Sequence, residues 1–94
     1  MPTVVAGDFE WDADKAASNV AKHGVSFEEA ATTFFDPHAM ELDNGSPDGR
    51  LALIGYSEPA RLLLVVFVER GERDRIISAR RATGSERDRY EQGP

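Results

Sequence analysis

Residues 62–68 read Leu-Leu-Leu-Val-Val-Phe-Val, apolar at every position. Successive side chains of a strand point to opposite faces, so this run needs cover on both sides. It is too short to cross a membrane as a helix. It is expected to form a central strand, and the rest of the chain must supply its neighbours and a packed layer.

The neighbours read as strands on both sides of the run. His38 to Asp43 can be extended, Asn44 to Gly49 is dense turn chemistry, and Arg50 to Ser57 makes a second strand. Glu58-Pro59-Ala60 turns the chain into the apolar run. Glu69 to Glu72, around Gly71, turns it out again into a strand from Arg73 to Ala82. The covering layer is expected from residues 12–35. Asp12 offers an N-cap; Ala13, Ala16, Ala17, Val20 and Ala21 recur at helical spacing, and Gly24 stops the helix. Ser26 and Glu29 read as a capping box for a second helix carrying Phe27, Ala30, Ala31, Phe34 and Phe35, which ends at Asp36-Pro37. Phe9 to Trp11 reads as a short edge strand, and residues 1–8 as a loose leader. Thr83 and Glu86 open a short C-terminal helix through Tyr90, weakened by Gly84. The predicted class is α+β, with two N-terminal helices packed on an antiparallel sheet and a short last helix. Trp11, Phe27, Phe34, Phe35 and Phe67 are the expected aromatic core.

At 94 residues the chain is sized for a single domain, 1–94, of the kind that often leans on a partner. There is no cysteine, which excludes disulfides and thiolate catalysis and fits a reducing compartment. The two histidines, His23 and His38, are too few and too far apart for a structural zinc site, and no metal or cofactor is expected. No signal peptide and no membrane span are visible, so a cytoplasmic location is expected.

The net charge of −6 is unevenly spread. Residues 1–49 carry two lysines against ten acids, a balance of −8. Residues 50–94 carry nine arginines against seven acids, a balance of +2. Arginine presents a planar fork that matches a phosphate. The second half therefore either meets an anion or is a solvated, arginine-rich hairpin.

Several strings of this sequence together resemble one known family. They are Phe9-Glu10-Trp11-Asp12, the run Asn19-Val20-Ala21-Lys22-His23-Gly24-Val25-Ser26-Phe27-Glu28-Glu29-Ala30, and Phe35-Asp36-Pro37. Ile54-Gly55-Tyr56-Ser57, Arg70-Gly71, Arg75-Ile76-Ile77-Ser78-Ala79-Arg80-Arg81-Ala82-Thr83, Glu86-Arg87 and Tyr90 follow in order. The chain resembles the BrnT toxins from Phe9 to about Gln92. The residues before Phe9, and Gly84, depart from the family pattern. The resemblance implies a RelE-like fold and a metal-independent ribonuclease that arrests translation. It also implies a BrnA-type antitoxin with a ribbon-helix-helix domain, bound to operator DNA so that the complex represses its own operon.

The resemblance directs attention to particular residues. RNA cleavage without a metal uses the 2′-hydroxyl as nucleophile, so the protein must position the strand, move protons and neutralise the phosphorane. Arg80 and Arg81 are the leading catalytic candidates. Simple alternation puts them on opposite faces, Arg81 with Arg73, Arg75, Ile77 and Ala79, Arg80 with Asp74, Ile76 and Ser78. Either could instead pair with a helix acid such as Glu28 or Glu86. His23 has a side-chain type suited to proton transfer, but a histidine at a helix end is also what the helix dipole selects. Lys22 stands beside it, as a catalytic candidate or a solvated residue. Arg50 and Arg70 are candidate phosphate contacts, Arg61 flanks a turn, and Tyr56 and Tyr90 could stack on bases. The acids Asp12, Asp14, Glu28 and Glu29 are expected outside the RNA site, some of them facing the antitoxin. The competing reading is a non-catalytic module that serves only as co-repressor.

Overall fold

A hairpin precedes the first helix in the computed structural model, which describes residues 2–43 and 46–93. Strand β1, Thr3–Ala6, lies within the expected leader and pairs antiparallel with β2, Phe9–Asp12. The loose-leader reading is thus corrected: Thr3, Val4 and Val5 are β-branched, and β2 gives them an edge to join. The helices are not N-terminal, because two strands come before them. They are α1, Ala13–His23, and α2, Phe27–Thr32, which tightens into a 3-10 turn over Thr33–Phe35. Strands β3 (Met40–Asp43), β4 (Leu51–Tyr56), β5 (Leu62–Arg70) and β6 (Arg73–Arg81) follow, then α3, Gly84–Gln92. Asn44 and Gly45 of the expected turn lie outside the described residues.

The six strands stand in the order β1-β2-β6-β5-β4-β3, with the apolar run in β5 flanked on both sides as expected. Neighbours are antiparallel except β2 and β6, which meet in parallel through Phe9↔Asp74 and Glu10↔Arg75. The sheet is therefore mixed. Its last strand returns to lie beside its second.

Helices α1 and α2 cover one face. Trp11, Val25, Phe27, Ala30, Leu63, Val65, Ile76 and Ala79 form the core there, with Phe9 at its margin. Full burial of a side chain such as Phe27 is worth about 1.5–3 kcal/mol. Gly55 of β4 sits under the 3-10 turn: a Cβ there would stand 3.1 Å from the Thr33 carbonyl oxygen. This close approach lets Thr33 bury completely and Phe34 wedge between Phe9 and Phe67, at ring separations of 4.9 Å. The tighter turn also rotates Phe35 off the buried stripe, and it is 76% exposed. The expectation that Phe35 is core fails for that reason. On α1 the buried position is Asn19, while Val20 is 48% exposed. The stripe is turned relative to the alanine pattern because an amide, not a methyl group, meets β6.

Strand β6 carries a bulge. Ser78 pairs with Val66 and Ile76 with Phe67, leaving Ile77 extra. Ile76 and Ala79 consequently both face the core. The bulge overturns the simple division of faces: Arg81 keeps company with Ala79 and Ile76, and Arg80 stands across the strand in register with Leu64. Helix α3 lies on the face of Arg80 and Tyr56, opposite α1 and α2.

Candidate active site

Each arginine of β6 has a different fate. Arg73 Nε donates to the Gly7 carbonyl at 3.3 Å, and Arg75 pairs with Glu10 at 2.5 Å, so both fasten the β1–β2 hairpin. Arg80 grips Glu86 at two points, Nη1–Oε1 2.8 Å and Nη2–Oε2 2.9 Å. Thr83 completes a reciprocal capping box with Glu86, so the pair fixes the start of α3. Hydrogen bonds from Arg80, outweighing the opposing effect of burial, hold the Glu86 carboxyl down at about 2, and the same bonds raise Arg80. Arg81 extends exposed from the strand end; its carbonyl accepts from Arg80 Nη1 at 3.1 Å and its charge acts on Glu29, but among the described residues its side chain has no hydrogen bond or ion pair.

Arg81 borders a concavity of about 240 Å³ lined by Ala60, Arg61, Leu62, Arg81, Ala82 and Arg87. Arg61 is held on one side. Its Nε donates to Glu29 Oε2 at 2.8 Å, and its Nη2 donates to Glu29 Oε1 and, at 3.1 Å, to the Gly24 carbonyl. The same side chain lines the concavity. Ser57 Oγ donates to Glu29 Oε2 at 2.7 Å. Arg61, then the burial that opposes it, then Ser57 act on Glu29, and the net effect lowers its carboxyl. The Ser26–Glu29 box is therefore only half formed: Ser26 accepts from the Glu29 amide, but the carboxylate serves Arg61 instead. The lip of the concavity is strained, since Ala60 has φ +67°, a left-handed conformation that non-glycine residues rarely take.

The third cation comes from α3. Arg87 Nη1 donates to the Tyr56 hydroxyl at 3.3 Å. Tyr56 and Tyr90 meet edge to face at 5.3 Å, and Tyr90 donates to Asp36 Oδ2 at 2.7 Å. Asp36 also accepts from the amides of Tyr56 and His38. Burial and then the bond to Asp36 push the Tyr90 phenol up to about 12. For Asp36 the three donated bonds outweigh burial, and its carboxyl is lowered. Tyr90 thus anchors α3 rather than standing free to stack.

His23 and Lys22 lie at the C-terminal end of α1 and line a separate groove of about 180 Å³, with Lys15, Ser18, Asn19, Ile77 and Ser78. The floor is fixed by Asn19, whose Nδ2 donates to Val25 and Ala79 carbonyls at 2.9 and 2.8 Å and whose Oδ1 accepts from Ala79 N at 3.2 Å. Gly24 follows His23, caps α1 at φ +69° and offers its carbonyl to Arg61, so the end of α1 is tied to one wall of the arginine concavity.

Arg50 and Arg70 are not brought to this place. Arg81 pairs in register with Leu63, and Arg70 with Arg73 at the other end of β5, roughly 23 Å away along the strand. Arg50 precedes Leu51, near that same end, and pairs with Asp48 at 2.9 Å. Glu29, one of the helix acids expected outside the RNA site, holds Arg61 of the concavity, and Asp12 is the N-cap of α1. Glu29, Asn19 and Asp36 carried sequence signals for other roles: a capping box, an alanine stripe and a helix stop. Among the described residues no group of three His, Asp or Glu side chains could hold a metal ion, and no helix is long and apolar enough to cross a membrane.

Comparison with known proteins finds similarity at the level of family and of solved structure. A family model described as ribonuclease toxin, BrnT, of type II toxin-antitoxin system matches residues 11–86. The crystal structure of the Brucella abortus ribonuclease toxin BrnT is similar with a TM-score of 0.63 and 28% identity, covering 78% of this chain and 92% of that one. No curated protein matches. The matched stretch includes Asn19, Lys22, His23, Glu29, Arg61, Arg80, Arg81 and Glu86.

Proposed function

The chain belongs to the BrnT family of ribonuclease toxins of type II toxin-antitoxin systems, and we propose that it is a metal-independent endoribonuclease centred on Arg81. The observation that carries the assignment is the open guanidinium of Arg81 beside the half-committed Arg61 and the α3 residue Arg87. In the reaction the 2′-oxygen loses its proton and bonds to phosphorus. The P–O5′ bond breaks, and the 5′-oxygen takes up a proton, leaving a 2′,3′-cyclic phosphate and a 5′-hydroxyl. Arg81 and Arg61 Nη1 meet the charge that grows on the phosphorane oxygens. Arg61 is preorganised for this by Glu29 and the Gly24 carbonyl, so little reorganisation is needed as charge develops. His23, next to Gly24, is assigned to proton transfer. Arg80 acts through Glu86, setting the helix that presents Arg87. Arg50 and Arg70 serve as outlying phosphate contacts for a strand long enough to cross the sheet.

The wider reading follows from family membership. The architecture is taken as RelE-like, the outcome as arrest of translation in the cytoplasm. The antitoxin is taken as a BrnA-type ribbon-helix-helix protein that carries the complex to operator DNA. One observation favours the rival reading of a non-catalytic co-repressor: Glu86 neutralises Arg80. Incubation of purified protein with RNA and a chelator separates them. Fragments ending in cyclic phosphate support the enzyme; intact RNA, with operator binding kept in the antitoxin complex, supports the co-repressor.

A further inference from the structure

We infer that the groove beside α1 is a second phosphate subsite, which holds the backbone of the RNA a short way along the strand from the bond that is cut. The inference rests on the ribonuclease reading and extends it to residues outside the arginine concavity. Lys15 and Lys22 are the only lysines in the chain, and they stand in its acidic half. With Ser18 they follow the i, i+3, i+7 spacing that puts side chains on one helix face. That face borders the groove. No Asp or Glu lines it, and neither lysine has an ion-pair partner among the described residues. Asp12, whose carboxyl is lowered first by the Lys15 amide, is committed to the amides of Asp14 and Lys15.

The groove is also built to stay open. Strand β2 pairs with β6 only as far as Arg75, so the β6 edge beyond is free of a neighbouring strand. There the carboxamide of Asn19 takes both backbone groups of Ala79 and holds α1 beside the strand. The Ile77 bulge brings Ser78 to the wall. Asn19 is engaged with the strand, so the lysines, His23 and the two serines are the polar residues left to an incoming ligand.

Their chemistry selects a phosphodiester backbone. Lysine is a point charge without a fork, suited to holding a phosphate and not to reading a base. The position selects the same ligand. Ser78 stands about 10 Å along β6 from Arg81, and Lys15 about 10 Å along α1 from Lys22. His23 lines the groove and precedes Gly24, whose carbonyl Arg61 holds. One strand can therefore pass from the arginines over His23 to Lys22 and Lys15.

The test uses 2′-O-methyl RNA, which cannot be cut, as a dinucleotide and as an oligomer of about eight nucleotides, with binding read by fluorescence anisotropy over a salt series. Wild type should bind the oligomer more tightly and with a steeper salt dependence. Lys15→Ala/Lys22→Ala should weaken the oligomer on the order of tenfold and flatten its slope by about 1.4, from two lost contacts, and Lys15→Ala alone should flatten it by about 0.7 with the dinucleotide unchanged. A folded double variant with wild-type length dependence and slope would overturn the subsite. So would a variant that binds RNA normally but loses the antitoxin, since the groove would then serve an acidic protein segment. Length-dependent binding by a wild type that leaves ordinary RNA intact would keep the subsite and remove the enzyme.

Discussion

The side chain of Asn19 behaves as a short extra strand for Ala79: it accepts from the Ala79 amide at 3.2 Å and donates to the Ala79 carbonyl at 2.8 Å. A third bond, to Val25, ties in the loop after α1. One buried amide thereby sets the distance between the helix ending at His23 and the strand ending at Arg81. Replacement by alanine leaves buried backbone groups without partners, at a cost of about 1–3 kcal/mol for each orphaned group. Asn19→Ala should lower the melting temperature by roughly 10 °C or more. A thermal melt checks it, and an unchanged midpoint would mean the strap carries no weight.

The ion pair under α3 gives a pH signature. Glu86 titrates at about 2 in the folded chain against a reference of 4.5. A depressed carboxyl contributes stability above its unfolded value and loses it as protons bind. The pair's contribution is therefore present above pH 4.5 and declines between there and about 2. Side-chain NMR titration should show the low midpoint. In Glu86→Gln the acid-dependent loosening of α3 should vanish.

Tyr90 gives the opposite sign at the other end of the same helix. Its phenol is raised from 10.0 to about 12. Stability from a raised group is complete below the unfolded value and is lost as pH climbs through the folded one. Tyrosinate absorbance should show a late step near 12 that Tyr90→Phe removes. A Tyr90 that ionises at 10.0 would exclude the bond to Asp36.

What could be read from the chain follows the range of the interactions. The all-apolar β5, the Asp12 and Thr83 caps and the Gly24 stop are local, and they stand where the pattern put them, to within a few residues. The β1 strand was hidden because a four-residue edge strand has no period of its own and exists by pairing with Phe9–Asp12. The faces of β6 were misassigned because one extra residue, Ile77, reverses the alternation beyond it, and nothing in Ile-Ile-Ser announces a bulge. The site was half legible. Arg80 and Arg81 stand out in their motif, and an acid six residues on, Glu86, is within reach of Arg80 once a helix starts at Gly84. Arg61 and Glu29 were not seen as partners. Their contact joins a helix start to a turn 32 residues later, and only the fold brings those together.

The separation of Arg80 from Arg81 is the centre of the account, and cleavage of RNA by purified single variants tests it most directly. Arg81→Ala should lose about 10²–10³ in rate, the cost typical of one transition-state donor, at an unchanged melting temperature. Arg80→Ala should lower the melting temperature and respond to repair of the α3 contact, because its work is done through Glu86. A folded Arg81→Ala protein that cuts RNA at the wild-type rate would contradict the assignment.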